Sequence, residues 1–162
     1  MADYQKCVIC LAPHTSNWDF VIAKLFYGAI GRHSEFLMKR EWFFWPLGYV
    51  LRLMGGIPVS RGKRGAMVQS IAQRARESVS FHLAITPEAT RKANANWKQG
   101  FYYIALEAKL PVVLYAMDYS RKTVYGIHAF NPTGNVEREM NLLKRYYETF
   151  KEGARHPEQF AI

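Results

Sequence analysis

Two cysteines in 162 residues leave no framework for disulfide bonding and no second pair to complete a four-thiolate metal site. They stand as Cys7-x-x-Cys10 inside a strand-like apolar run, where both read as small buried hydrophobes in a reducing compartment. Long apolar runs are also missing. The most apolar and aromatic stretch, Trp42 to Leu51, is interrupted by Pro46 and closed by Arg52, well short of the ~20 residues that a spanning helix needs. The first six residues, Met1 to Lys6, lack the charged-then-apolar pattern of a secretory signal, so a cytoplasmic location is expected. No G-x-S-x-G occurs, which removes the sequence basis for a serine nucleophile elbow. His33, His82, His128 and His156 show no ligand spacing, so no metal is expected. Internal repeats, linkers and basic low-complexity tails are absent too, and residues 1–162 read as one domain. Acidic residues are scarce, 13 against 22 Lys and Arg, for a formal charge of +9. That balance favours an anionic partner: nucleic acid, a phosphorylated metabolite, an acidic carrier protein or an anionic membrane. The positives are scattered in short clusters through otherwise apolar segments, as around the rim of a site.

With 49% hydrophobic residues the chain can bury a sizeable core. Strand-like runs span Cys7 to Ala12, Glu35 to Met38, Phe81 to Ile85, Pro111 to Met117 and Thr123 to Phe130. Helical periodicity spans Trp18 to about Gly31, Met67 to Val79, Gly100 to Lys109 and Val136 to Lys151. Their alternation predicts an α/β fold, a single layered domain with a mixed central sheet flanked by helices. Chemistry in such sheets gathers beyond the strand ends.

One such end carries the most informative residues. Pro13 closes the first strand, Ser16 or Asn17 caps the next helix, His14 falls in the turn and Asp19 in the first helical turn. From there the carboxylate can reach back to one imidazole nitrogen, fix the tautomer and leave the other free to take a proton. An aspartate in a first helical turn also simply complements the helix dipole, so the spacing alone decides little. Other segments agree with it. Gly55-Gly56-Ile57-Pro58-Val59-Ser60-Arg61 is a glycine-bounded strand that delivers Arg61 into a loop, a good way to aim a guanidinium at a phosphate. Thr86-Pro87-Glu88-Ala89-Thr90-Arg91 follows the strand Phe81 to Ile85, which places Glu88 and Arg91 at another strand end. Glu88 there can pair with Arg61 or Arg91, or bind a substrate hydroxyl. Trp42, Phe43, Trp45 and Leu47, flanked by Lys39, Arg40 and Arg52, have the composition of a segment that lies at a membrane interface, walls an acyl-chain pocket or forms an ordinary core helix.

In order and separation, these segments resemble the four sequence blocks of the glycerol-phosphate and lysophosphatidic acid acyltransferase family, over about Cys7 to Tyr115. The family's H-x-x-x-x-D is matched by His14 and Asp19, its glycine-to-arginine block by Gly56 to Arg61, its Glu-Gly-Thr-Arg by Glu88-Ala89-Thr90-Arg91, and its apolar proline block by the run from Pro111. Two departures stand out: Ala89 in place of the usual glycine, and a missing second proline in the last block. The membrane helices that many members carry at the N-terminus are absent from this sequence.

The resemblance implies transfer of a fatty acyl group from acyl-CoA or acyl carrier protein to a lysophospholipid hydroxyl, converting lysophosphatidic acid to phosphatidic acid. His14 would be the base, Asp19 its orienting group, and Arg61, Glu88, Thr90 and Arg91 the acceptor site. Backbone amides near Val59 and Ser60 would face the oxyanion, and the acyl chain would run beneath Trp42 to Leu53. No cofactor beyond the thioester co-substrate is implied, and the enzyme would lie on the inner face of a membrane. Two alternatives stay open: an acceptor that is an amino-acid-derived or sugar lipid, and a non-catalytic basic module binding membrane or nucleic acid. The aromatics cluster in one stretch rather than interleaving with basic residues across a sheet, which argues against a nucleic-acid partner.

Overall fold

The computed structural model describes residues 4–60 and 64–162. The apolar run Lys6–Leu11, with Val8 and Ile9 at its centre, forms β1, and its side chains past Lys6 are buried on both faces, as an interior parallel strand requires. It pairs in parallel with β4 (Phe81–Ile85) on one side and with β5 (Val112–Asp118) on the other. Beyond β4 come β2 (Glu35–Lys39) and β3 (Gly56–Val59), also parallel. Pro58 is tolerated in β3 because β3 is an edge strand that needs fewer ladder donors. β6 (Thr123–Phe130) closes the other edge antiparallel to β5, giving a mixed six-stranded sheet in the order β3-β2-β4-β1-β5-β6. The fold class expected from the alternation is the one observed.

Between the strands run α1 (Asn17–Ala29), the short α2 (Leu47–Leu53), α3 (Arg64–Glu77) and α4 (Gly100–Ala108), and α5 (Val136–Glu148) follows β6. Their distribution over the two faces is unequal, and the site follows from that. Val8, Cys10 and Ala12 face the larger core with Ile71 and Ala75 of α3, Phe101 and Ile104 of α4, and Met140, Leu143 and Tyr147 of α5. The opposite face, with Cys7, Ile9 and Val113, is packed by Tyr27 and Phe26 of α1. Residues of β2 and β4 on the α1 side stay partly open and border a cavity. Burial pushes both thiols up, Cys7 to about 12, and leaves them as packing residues.

Trp42 to Leu51 is not a core helix. A single 3-10 turn, Arg40–Trp42, is followed by α2 beyond Pro46, and the aromatics between point outward: Trp42, Phe44 and Trp45 are exposed, Trp45 by 88%. Leu47 and Phe43 are half-buried, and Arg52 lies 5.5 Å over the Phe43 ring. Among the described residues no helix is long and apolar enough to cross a membrane.

Candidate active site

The order β4-β1-β5 brings three loops together at the carboxyl ends of the strands, as expected for an α/β sheet. The β1 loop carries His14. Ser16 caps α1, its side chain accepting from the backbone N–H of Trp18, and Asp19 stands at the third helical position of a capping box. The Asp19 carboxylate is buried, and its Oδ2 lies 3.1 Å from His14 Nδ1 while accepting the backbone N–H groups of Thr15 at 2.8 Å and Ser16 at 2.9 Å. Its Oδ1 accepts the Tyr119 hydroxyl at 2.6 Å. Burial alone would raise this carboxyl. The bonds from His14, Tyr119 and the Ser16 N–H outweigh that and hold it below the ordinary carboxylate value, so it stays ionised beneath the imidazole. With Nδ1 engaged, Nε2 carries no hydrogen bond among the described residues.

The β4 loop carries Glu88, and here the expectation needs correction. Glu88 makes no ion pair with Arg91. Its buried carboxylate accepts the backbone N–H of His14 at 3.0 and 3.1 Å, one contact to each oxygen, so it fixes the turn that presents the imidazole. Burial pushes its carboxyl up to about 7, partly offset by the His14 N–H bond. Arg91 reaches across the turn to donate to Asn17 Oδ1, and Thr90 Oγ1 accepts the Lys92 N–H. Ala89, where the family has glycine, adopts φ 55°, the left-handed region that costs a residue with a Cβ roughly 1–2 kcal/mol.

His14, Ala89, Thr90 and Arg91 border one cavity of about 550 Å³, whose wall is otherwise mostly apolar, with Phe20 and Ala23 of α1, Phe36 and Met38 of β2, and Ala84 and Ile85 of β4. Its one amine, Lys24, is held by bonds of 2.7 Å to the carbonyls of Ser34 and Met54. Residues 42–53, beneath which an acyl chain is expected from the sequence, do not line this cavity; Phe20 and Lys24 of α1 lie against Phe36 of β2 instead. Trp42 and Trp45 lie on an outer surface, and Phe43 and Leu47 are half-buried beside them. Val59 and Ser60, at the end of the edge strand, border a separate hollow of about 400 Å³ rather than the His14 cavity. Arg61 lies outside the described residues.

A histidine on a buried carboxylate, with Arg91 at the border of a mostly apolar cavity, is an arrangement suited to moving a proton beside an apolar substrate group. The sequence model of the acyltransferase family matches residues 3–118, and the chain belongs to that family and is an acyltransferase. The fold agrees with the crystal structure of the 1-acyl-sn-glycerophosphate (LPA) acyltransferase PlsC from Thermotoga maritima, with a TM-score of 0.61 at 16% identity over 92% of this chain and 68% of that one. A search of curated proteins finds no match to this sequence.

Tyr119 is the site residue that sequence reasoning missed. It lies 100 positions from Asp19, and its one signal was its place just after β5, the strand next to β1.

Proposed function

We propose that the chain transfers a fatty acyl group from a thioester donor, acyl-CoA or acyl carrier protein, to the hydroxyl of a lysophospholipid, with lysophosphatidic acid as acceptor and phosphatidic acid as product. The observation that carries the reading is the contact between His14 and the buried, ionised Asp19 at the border of an apolar cavity whose rim holds Thr90 and Arg91. His14 Nε2 takes the proton of the acceptor hydroxyl as the oxygen attacks the thioester carbonyl. The tetrahedral intermediate collapses, the carbon–sulfur bond breaks, and the thiolate leaves with the proton returned by the imidazolium. Arg91, together with Arg61, holds the acceptor's phosphate. The acyl chain lies along Phe20, Phe36 and Ile85.

The lipid substrates are reached from a cytoplasmic membrane surface on which the enzyme rests peripherally. What supports this is the outward cluster of Trp42, Phe44, Trp45, Tyr49, Val50 and Leu53, flanked by Lys39, Arg40 and Arg52. Trp45→Glu should weaken binding to anionic phospholipid vesicles by roughly tenfold, measured by sedimentation. Because the cavity lies elsewhere, the relative rates on long and short acyl donors should not change.

The reaction is tested by mass spectrometry of lysophosphatidic acid incubated with each donor. Phosphatidic acid formed by the chain is the expected product; none from either donor, with folded protein, overturns the acceptor assignment.

A further inference from the structure

The carboxylate of Asp19 has two unequal oxygens. Oδ2 takes His14 and two backbone N–H groups, while Oδ1 takes a single donor, the Tyr119 hydroxyl. A terminal carboxylate rotates in a broad, shallow well, so three donors on one oxygen do not by themselves fix the plane. A strong donor on the other oxygen does. Tyr119 does not border the His14 cavity; it borders a distinct hollow of about 250 Å³ with Ile22, Met117 and Val124. A substrate in the His14 cavity is therefore out of its reach, and what it does for the reaction it does through Asp19.

Tyr119 is itself held from behind by the segment that follows α5. Its backbone N–H donates to the Gly153 carbonyl at 2.7 Å, and the Arg155 guanidinium lies 5.7 Å from its ring and 5.8 Å from that of Trp18. Gly153 is needed for the close approach, since a Cβ there would stand 2.8 Å from the Asp118 carboxyl carbon. Three residues on from Gly153, the His156 N–H donates to Thr15 Oγ1 at 3.2 Å. The turn after β5 and the C-terminal segment thus grip the β1 loop together.

We propose that Tyr119 is a positioning residue for acyl transfer, holding Asp19 so that Oδ2 faces His14 Nδ1. The assignment rests on the reading of His14 as base and Asp19 as its orienting group. Tyr119→Phe keeps the ring beneath the Arg155 guanidinium and the backbone bond to Gly153, and removes the hydroxyl with its bonds to Asp19 and Arg155.

The expected result is roughly a tenfold fall in kcat, the scale of one hydrogen bond to a charged group, with the KM of donor and acceptor unchanged. The low-field proton resonance of His14 Nδ1–H, sheltered by the Asp19 contact, should shift or broaden in the same variant. In an Asp19→Asn background, Tyr119→Phe should cost nothing further, since the group it positions is gone. An unchanged kcat with an unmoved resonance overturns the proposal, as does an equal proportional loss in both backgrounds or a rise in KM alone. The reading beneath it fails differently: Asp19→Asn would then keep full turnover. A silent Tyr119→Phe beside an inactive Asp19→Asn removes the positioning role and leaves the base assignment standing.

Discussion

His14→Ala should lower acyl transfer by about 10³-fold while leaving the fold in place, within the range of roughly 10²–10⁴ for loss of a general base. The two effects separate because of how Asp19 is satisfied. Removing the imidazole takes one donor from Oδ2, yet the Thr15 and Ser16 N–H groups still bond that oxygen and Tyr119 still bonds the other, so no buried charge is orphaned. Glu88 likewise keeps its partner, because it binds the backbone N–H at position 14 and not the side chain. Asp19→Asn is a poorer probe. An amide there sets its NH₂ against the backbone donors or against Tyr119, whose hydroxyl must then turn from donor to acceptor, so the network changes along with the charge. The measurement is product formation by mass spectrometry, together with thermal melting of both proteins. A melting point close to the parent's with product at the limit of detection is the expected result, and added imidazole should restore part of the rate. Retention of more than about a tenth of the parent rate, below the smallest loss expected for a general base, removes His14 from the reaction.

The sheet and its helices were legible because hydrophobic period and punctuation agree along most of the chain. The continuous apolar runs gave the interior strands, and the stripe Val136, Met140, Leu143, Tyr147 and Phe150 gave α5, which the structure ends at Glu148, with Met140, Leu143 and Tyr147 buried against the sheet and Val136 and Phe150 half-buried. His14 and Asp19 were legible for a related reason: a turn and the helix it starts are local, so a spacing of five positions translates directly into contact. What escaped depends on how distant segments meet. Strand order is not written in any one segment, and without it neither Tyr119 nor Glu88 could be placed against the β1 loop. Glu88 illustrates the difficulty. Its neighbours in sequence are basic, so an ion pair was the natural expectation, but β4 lies beside β1 and the nearest unpaired donor is a backbone amide. The aromatic segment was misread in part because composition does not say which way a short helix turns its side chains. Trp45 and Phe44 have the character of a core and face outward.

Glu88→Gln should remove a fall in stability with rising pH that the Glu88 carboxyl contributes to the parent chain between about pH 4.5 and 7. The Glu88 carboxyl titrates near 4.5 when unfolded and, pushed up mainly by burial, near about 7 when folded. Between those values the folded chain holds a proton that the unfolded chain has released, so this group's contribution is fully present below 4.5 and is lost as pH rises through about 7. At about 1.4 kcal/mol per pH unit the loss comes to about 3 kcal/mol across the window. Glutamine does not titrate, and its carbonyl oxygen can still accept the His14 N–H, so the loop keeps its clamp while losing the charge. His82 works in the opposite sense. Burial and Arg32 hold its imidazole below the ordinary value of 6.5, so below that pH the unfolded chain takes up a proton that the folded chain resists, and stability falls on acidification. Its contribution is common to both proteins. The quantity to measure is therefore the difference in unfolding free energy between parent and Glu88→Gln, from denaturant titrations at half-unit steps. That difference should swing towards the variant by about 3 kcal/mol from pH 4.5 to pH 7.5; a flat difference would mean that the carboxyl beneath His14 stays ionised throughout, held by its backbone donors against the cost of burial.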